Sequence, residues 1–253
     1  MRIDFAGKRV LVTGGTRGIG RCIAQAFLGA GARVALHGSS QESVRQAVTE
    51  IDASESVVAA PGVLSTVEGC RKAVETALSG LGGLDVLVNN AGRWNFFPVE
   101  AVDEAAWDDV IDVNLKGAFF VTKYALPALR TAKGNIVNIA SVSGISAEPC
   151  TSIYCVSKAG LIHMTRCHAW EFAPDVRVNA VCPGPIDTDM LQQVAQKFFG
   201  TVDDGYPNIE KDCALKRIGR PGEIAGPVLY LASDLAKYAT GCIHVVDGGY
   251  SID

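Results

Sequence analysis

Tyr154 and Lys158 lie four residues apart in the stretch SIYCVSKAG (152–160), whose small and apolar residues predict a buried helix. This spacing places a phenol and an ammonium group side by side on one face of the helix. A free tyrosine has a pKa of about 10, so it exchanges protons slowly at neutral pH. A neighbouring cation favours the phenolate and is expected to lower that pKa, which predicts a proton donor and acceptor for a carbonyl or alcohol oxygen. The alternative is an ordinary core tyrosine beside a lysine.

Two polar residues upstream are candidates to assist this pair. Ser141 ends the apolar run GNIVNIASVSG (134–144), so its hydroxyl is placed at the end of a strand and can bond the same substrate oxygen. Asn114 lies inside a predicted helix, where asparagine is unfavourable unless it has a local role. It could hold a water molecule that relays protons to Lys158, or it could mark a local kink or cap. The sequence leaves both roles open.

A glycine-rich loop, TGGTRGIG (13–20), follows the first predicted strand and opens the first predicted helix. Gly14 permits a tight turn, Gly18 lets the backbone approach a pyrophosphate, and Gly20 lets helix and strand pack closely. The helix N-terminus then offers free N–H groups and the positive end of its dipole to the phosphates. The position of the loop in a repeated strand–helix pattern predicts a dinucleotide site.

The residues after the second predicted strand indicate which dinucleotide binds. An NAD site usually has a carboxylate there, but the stretch ALHGSS contains Gly38 and Ser39 and no acidic residue. Arg17, inside the glycine loop, can pair with a 2′-phosphate, although it could equally be a solvated loop charge. We therefore predict NADP(H) as the preferred cofactor, with NAD(H) not excluded.

Short β-branched runs alternate with segments of helical spacing along the whole chain. Each run is apolar on both faces, as in a parallel strand covered by helices on either side. The pattern predicts an α/β fold with one domain over residues 1–253, a doubly wound parallel sheet whose ligands bind at the carboxyl ends of its strands. Residues 187–215 form the longest irregular segment and predict a mobile flap over the site.

Composition excludes several classes of partner. The net charge is −4, the sequence pI is about 5.6 and no basic block is present, so neither nucleic acid nor an anionic membrane is expected. The N-terminus lacks the charged, then apolar, then small residues of a signal peptide. No apolar stretch is close to about 18 residues long, the length needed to span a membrane. These two observations predict a cytoplasmic protein. The eight cysteines form no C-x-x-C pair and the four histidines show no ligand spacing, so no metal site is expected.

Six motifs together resemble the short-chain dehydrogenase/reductase family: TGGTRGIG, NNAG (89–92), Asn114, Ser141, YCVSK (154–158) and PGPIDT (183–188). The resemblance runs from residue 8 to the C-terminus, with the motifs in the family's order and spacing. It implies a Rossmann-type seven-stranded sheet and a catalytic tetrad. Within the tetrad, Tyr154 is the acid/base, Lys158 lowers its pKa and bonds the nicotinamide ribose, Ser141 positions the substrate and Asn114 supports the proton relay.

The resemblance and the glycine loop together predict a set of cofactor contacts. They are Gly14, Thr16, Arg17, Gly18, Ile19, Gly20, Gly38, Ser39, Val63, Asn90, Ala91, Gly92, Tyr154, Lys158, Pro183, Gly184, Ile186 and Thr188. The family often has Asp-Val or Asn-Val after the third strand to bond adenine. This chain has Gly62 before Val63, which leaves backbone contacts only.

Within the family the chain is similar to 3-oxoacyl-[acyl-carrier-protein] reductases and related NADPH-dependent ketone reductases. That similarity implies reduction of a 3-oxoacyl or related small ketone to a secondary alcohol. The substrate pocket is predicted from the flap together with Arg93, Trp94, Asn95, Ser143, Glu148, Cys150 and Thr151. Such reductases tend to carry basic residues just before the serine strand and at the end of the tyrosine helix. This chain has Ala132 and Lys133 at the first place, and Pro174 and Asp175 at the second. An acyl carrier protein is therefore a weak candidate partner.

Two alternatives differ in function rather than in fold. An alcohol or sugar dehydrogenase would use the same residues in the oxidative direction, because hydride transfer is reversible. A non-catalytic NADP(H)-binding sensor or scaffold would need neither Tyr154 nor Lys158, and both are present.

The family also commonly forms homotetramers through the helix pair after the fourth and fifth strands and through the C-terminal strand. The apolar segments AFFVTKYALPAL and LIHMTRCHAWEFA fit such a contact.

Overall fold

A computed structural model describes residues 3–51 and 54–252 of the chain. In this part of the chain one parallel sheet of seven strands forms the centre, in the order β3-β2-β1-β4-β5-β6-β7. The strands are β1 (Arg9–Val12), β2 (Arg33–Leu36), β3 (Val57–Ala59), β4 (Val86–Asn89), β5 (Asn135–Ile139), β6 (Arg177–Pro183) and β7 (Ile243–Val246). The order reverses between β1 and β4, and the crevice at such a switch point is where sheets of this type bind ligands.

Helices cover both faces of the sheet. Within the described residues they are α1 (Gly18–Gly29), α2 (Gln41–Ile51), α3 (Val67–Leu81), α4 (Glu104–Ile111), α5 (Ala118–Ala132), α6 (Ser152–Phe172), α7 (Asp189–Phe199), α8 (Val202–Asp212) and α9 (Pro221–Ala232). Helices α1 and α9 pack on one face, while α3, α5 and the end of α6 pack on the other. The predicted doubly wound α/β fold is thus confirmed.

The two cores explain why the strands are continuously apolar. Val10 and Val12 face the core of α1 and α9, whereas Leu11 between them faces the core of α3 and α5. All three residues are fully buried, because successive side chains of a strand point to opposite faces. Because β1, β4 and β5 run parallel, their carboxyl ends lie along one edge of the sheet.

Residues 187–215 are largely helical, so the expectation of an irregular segment is wrong. The role of this segment as a flap over the site stays a prediction. Thr188 and Thr201 cap α7 and α8 by accepting hydrogen bonds from the backbone N–H groups of Leu191 and Asp204. Gly205 lies against Ala195, where an added Cβ would collide, so the two helices pack closely. The proline inside α8 and this glycine obscure the helical periodicity in the sequence.

Three further observations bear on the predicted function classes. No helix in the described residues is long and apolar enough to cross a membrane. Across the same residues, no group of three or more His, Cys, Asp and Glu side chains is arranged to hold a metal ion. The eight cysteines are free thiols.

Candidate active site

The glycine loop forms the floor of a cleft at the switch point of the sheet. Gly14 and Gly18 have φ angles of +61° and +53°, which favour glycine. A Cβ on Gly14 would lie 2.8 Å from the Cα atom of Ala91, and one on Gly20 would overlap the Gly14 carbonyl oxygen and the Asn90 side chain. The three glycines therefore leave a cradle that side chains would fill, and the N-terminus of α1 opens into it.

The cleft has a volume of about 330 Å³ and brings together most of the predicted cofactor residues. Those lining it are Gly14, Thr16, Arg17, Gly18, Ile19, Gly20, Gly38, Ser39, Val63, Asn90, Ala91, Gly92, Lys158, Pro183 and Thr188. Tyr154, Gly184 and Ile186 do not line it, and Ile186 lines a smaller neighbouring cavity. The bare backbone, the helix N-terminus and the size of the cleft fit a dinucleotide.

Asn90 holds two sides of the cleft together. Its side-chain amide donates to the carbonyl oxygens of Thr13 and Gly14, at 2.9 and 3.0 Å. The Thr13 hydroxyl in turn accepts hydrogen bonds from the backbone N–H groups of Asn90 and Ala91. The loop after β4 is thereby fixed against the loop after β1, which keeps the cradle open in one shape.

His37, which the sequence did not single out as a site residue, makes a second connection across the cleft. Its ring is buried, and Nδ1 accepts a hydrogen bond from the Gly14 N–H at 3.1 Å. Nδ1 therefore has no proton, so Nε2 donates to the Gly62 carbonyl oxygen at 3.0 Å. Burial lowers the pKa of His37 to about 4, which keeps the ring neutral at physiological pH.

The contacts of His37 depend on Gly62, the position where the family often has an aspartate or asparagine. A Cβ on Gly62 would lie 2.8 Å from the Gly69 carbonyl oxygen and 2.9 Å from the Cβ atom of Ala73. No side chain fits at this position, and the Gly62 carbonyl oxygen is the partner of the histidine. The loop after β3 is thus tied to the glycine loop through His37.

Arg17 has a partner that the sequence did not predict. Its guanidinium forms an ion pair with Asp189 at 2.8 Å, and both side chains are exposed. Asp189 is the first residue of α7, so the pair connects the glycine loop with the predicted flap. In this position the guanidinium is held toward α7 rather than toward Gly38 and Ser39.

Tyr154 and Lys158 are both buried on α6, at 8% and 4% exposure. The Lys158 Nζ atom donates to the Ile139 carbonyl oxygen at 2.9 Å and lies 5.7 Å from the centre of the Tyr154 ring. Burial raises the pKa of Tyr154 to about 12 and lowers the pKa of Lys158 to about 8. The predicted net lowering of the tyrosine pKa is therefore wrong for the protein by itself, because desolvation outweighs the effects that favour the phenolate.

Ser141 lies at the end of β5 and begins a chain of hydrogen bonds. Its hydroxyl lies 3.1 Å from the Ser143 hydroxyl, which donates to a carboxylate oxygen of Glu148 at 2.8 Å. Ser141 also lowers the pKa of the Tyr154 phenol by hydrogen bonding, whereas the Glu148 charge raises it. The Ser141 hydroxyl is thus linked through Ser143 to the Glu148 carboxylate.

Asn114 lies in a π-helical segment (Asp112–Gly117) between α4 and α5. Its side chain accepts from the Arg93 N–H at 2.7 Å and donates to the Arg93 carbonyl oxygen and the Ser157 hydroxyl. Asn114 therefore fixes the backbone after NNAG against the tyrosine helix. The widened helical turn accommodates a residue that an ordinary helix disfavours. The part of Asn114 in a proton relay stays a prediction.

The residues predicted to line the substrate pocket divide into two groups. Trp94 packs beside Tyr154, and Phe96 meets Phe198 of α7 edge to face at 4.7 Å. The side chains of Arg93 and Asn95 instead bond to α4, through Asp109 and the Ala106 carbonyl oxygen. The Thr151 hydroxyl bonds the Glu148 carbonyl oxygen, and the Cys150 carbonyl oxygen accepts from the backbone of Phe97.

Comparison with known proteins agrees with this geometry. A family model described as enoyl-(acyl carrier protein) reductase matches residues 14–251. The 3-oxoacyl-[acyl-carrier-protein] reductase FabG of Aquifex aeolicus is 40% identical, over 98% of this chain and 99% of that protein. The 2-(S)-hydroxypropyl-CoM dehydrogenase 3 of Xanthobacter autotrophicus is 36% identical over 95% of both chains.

A solved structure shows the same likeness in three dimensions. It is a short-chain alcohol dehydrogenase, described as putative, from Sinorhizobium meliloti, which is 38% identical and covers 99% of both chains with a TM-score of 0.91. Sequence and fold agree along nearly the whole length of both chains. The chain belongs to the short-chain dehydrogenase/reductase family.

Proposed function

We propose that the protein is an NADP(H)-dependent oxidoreductase that reduces a small ketone to a secondary alcohol, with Tyr154 as the proton donor. The observation that carries this proposal is the burial of Tyr154 and Lys158 beside Ser141, at the edge of the glycine-lined cleft. A buried phenol next to a dinucleotide-sized cleft is placed to give its proton to the oxygen of a carbonyl group whose carbon accepts a hydride. The cleft fits a nicotinamide cofactor, which supplies the hydride when bound.

The side chains divide the remaining work. Tyr154 donates its proton to the carbonyl oxygen, and its pKa of about 12 keeps the phenol protonated at neutral pH. Lys158 carries a positive charge below its pKa of about 8 and stabilises the phenolate that remains after the proton is transferred. Ser141 orients the carbonyl, and Asn114 holds the loop and helix that surround it.

A panel of ketones with NADPH and NADH in parallel tests the proposal, with the absorbance of the reduced nicotinamide as the readout. The alcohols that correspond to these ketones, assayed with the oxidised cofactors, test the opposite direction of the reaction. The names of the relatives include both reductases and dehydrogenases, so both directions are measured. We expect free small ketones to be substrates, because Asp175 is exposed at the end of the tyrosine helix where a basic docking surface for an acidic carrier is expected.

We predict that Arg17→Ala lowers kcat/KM for NADPH by about 10-fold and leaves kcat/KM for NADH nearly unchanged. Asp189→Asn is expected to raise kcat/KM for NADPH by up to about fivefold, because an exposed ion pair contributes at most about 1 kcal/mol and its loss frees the guanidinium. Steady-state kinetics of both variants with both cofactors give the measurement. Equal effects of Arg17→Ala on NADPH and NADH would contradict the NADP(H) preference.

We also infer a homotetramer, built through the faces that the family uses. Phe119 on α5 and Trp170 on α6 are 46% and 90% exposed, and Tyr238 and Val245 are exposed around β7. Large apolar side chains on two separate faces are typical of subunit contacts. Light scattering after size-exclusion chromatography is expected to give about four times the chain mass of 26.6 kDa. A monomer at micromolar concentration would contradict this inference.

A further inference from the structure

We infer that His37 is a positioning residue that sets the affinity of the cleft for the adenosine half of the dinucleotide. Its ring holds the loops after β1 and β3 in a fixed relation at the adenosine end of the cleft. This inference rests on the proposed function, because it concerns how the same cleft binds the nicotinamide cofactor. The side chain takes no part in the proposed transfer of hydride and proton.

His37 lies at the end of the cleft where the adenosine is expected. In sheets of this type, a residue at the end of the second strand contacts the adenosine ribose. His37 directly follows β2, and it lines the cleft together with Gly38 and Ser39. The residue is only 3% exposed, so it offers a ligand little surface to touch. It therefore acts on the cofactor through the loops that it contacts.

Four hydrogen bonds join these loops around His37. The carbonyl oxygen of His37 accepts from the Gly15 N–H at 2.8 Å, and Nδ1 of the ring accepts from the Gly14 N–H. On the other side, Nε2 donates to the Gly62 carbonyl oxygen, and the Gly62 N–H donates to the Gly38 carbonyl oxygen at 3.0 Å. Both polar groups of the Gly62 backbone are thus bound to His37 and the residue that follows it.

These contacts also decide which donors remain for the phosphates. The N–H groups of Gly14 and Gly15 are bound to His37, so the turn before α1 is held by the protein itself. Helix α1 begins at Gly18, and the first N–H groups of a helix have no partner within it. The phosphates are therefore left to the first turn of α1, while His37 fixes the loop that leads into it.

The loop after β3 needs this support because Gly62 has no side chain that could bind adenine. Only main-chain contacts remain there, and Val63 lines the cleft beside it. A loop that is already held in its binding conformation loses less conformational freedom when a ligand binds, which raises the affinity. The bond from His37 to the Gly62 carbonyl oxygen provides this restraint.

Three substitutions separate the two contacts of the ring. In His37→Asn, the amide oxygen can replace Nδ1 toward Gly14, but the side chain is too short to reach Gly62. In His37→Gln, the amide can reach Gly62 but leaves no acceptor at the place of Nδ1. His37→Phe keeps a ring and loses both bonds. We expect the Kd of the reduced cofactor to rise about fivefold in the first two variants and at least about 20-fold in His37→Phe.

Fluorescence titration with the reduced cofactor measures this Kd. Competition with the matching adenosine fragment, 2′,5′-ADP for NADPH or 5′-AMP for NADH, measures the affinity of the adenosine half. The Kd of the fragment is expected to rise by the same factor as that of the whole cofactor. At saturating cofactor, kcat and the KM of the ketone are expected to stay within about twofold of the wild-type values, because the catalytic end of the cleft is unchanged.

Asn135→Ala is the matched control for a loss of stability. Asn135 is buried at the amino end of β5, opposite the cleft, and its amide donates to the Ala232 carbonyl oxygen at 2.9 Å. Loss of this bond is expected to lower the Tm and to leave the Kd of the cofactor unchanged. Thermal unfolding of every variant checks that it is folded, and if His37→Phe is not, His37→Asn and His37→Gln carry the test.

An unchanged Kd in His37→Asn and His37→Gln would overturn the inference. A rise for the whole cofactor without a rise for the adenosine fragment would overturn it as well, and so would an equal rise in Asn135→Ala. In each of these cases the wild-type protein still binds the cofactor and reduces the ketone, so the proposed function stands. A wild-type protein that binds neither reduced cofactor would remove the proposed function and this inference together.

Discussion

Replacing Tyr154 with phenylalanine is expected to lower kcat for ketone reduction by about 100- to 10,000-fold, the range that a positioned general acid contributes. The substitution removes only the hydroxyl, and the ring keeps its contacts with the cluster around Val110 and Ile153. Stability and the affinity for the cofactor are therefore expected to change little. Steady-state kinetics with a saturating reduced cofactor, together with a cofactor titration, provide the measurement.

The hydroxyl matters because of where the fold places it. Burial raises the pKa of Tyr154 to about 12, so the phenol remains protonated from acidic pH to well above neutrality and is available as a donor throughout. Tyr230→Phe is the matched control, since Tyr230 is partly exposed on α9, away from the cleft. Equal rates for Tyr154→Phe and the wild-type protein would favour the alternative of a cofactor-binding protein without turnover.

Gly20→Ala is expected to raise the Kd of the cofactor by at least about 10-fold and to destabilise the fold by about 1–3 kcal/mol. The added methyl group would overlap the Gly14 carbonyl oxygen and the Asn90 side chain. Both groups take part in the hydrogen bonds between the loops after β1 and β4. The clash therefore cannot be relieved by rotating one flexible side chain. Fluorescence titration with the reduced cofactor measures the Kd, and thermal unfolding measures the stability.

Gly29→Ala is the control for this prediction. Gly29 is the last residue of the same helix, and a Cβ built there meets no atom within 4 Å. Alanine at this position is expected to leave the Kd of the cofactor unchanged and to stabilise the protein by up to about 1 kcal/mol, because alanine has the higher helix propensity. An unchanged Kd in Gly20→Ala would show that the glycine loop is not the phosphate cradle.

Local pattern was sufficient to predict the architecture and most of the cleft. A strand that is buried on both faces must be apolar at every position, and Val10, Leu11 and Val12 show this directly in the sequence. The positive φ angles of Gly14 and Gly18 are properties of single positions, and glycine is the residue that favours them. Because parallel strands end at one edge, residues that follow different strands could be assigned to one site before any contact was known.

The helical character of residues 187–215 could not be derived in the same way. Pro207 and Gly205 are unfavourable in an isolated helix, so local propensity argues against α8. The helix is compatible with them because Gly205 packs against Ala195 of α7 and Thr201 caps its first turn. Tertiary packing outweighs propensity in this segment.

By itself, the sequence determined the strands and helices outside residues 187–215, the glycines of the loop and the spacing of Tyr154 and Lys158, because each is a pattern of residues that are close in the chain. The tertiary structure alone decided the pKa values of Tyr154 and Lys158 and the partners of His37 and Arg17. Those properties depend on desolvation and on contacts between distant residues, such as the pair of Arg17 and Asp189, which are 172 positions apart. Burial and long-range contact are set by the packing of the whole chain, and no local pattern encodes them.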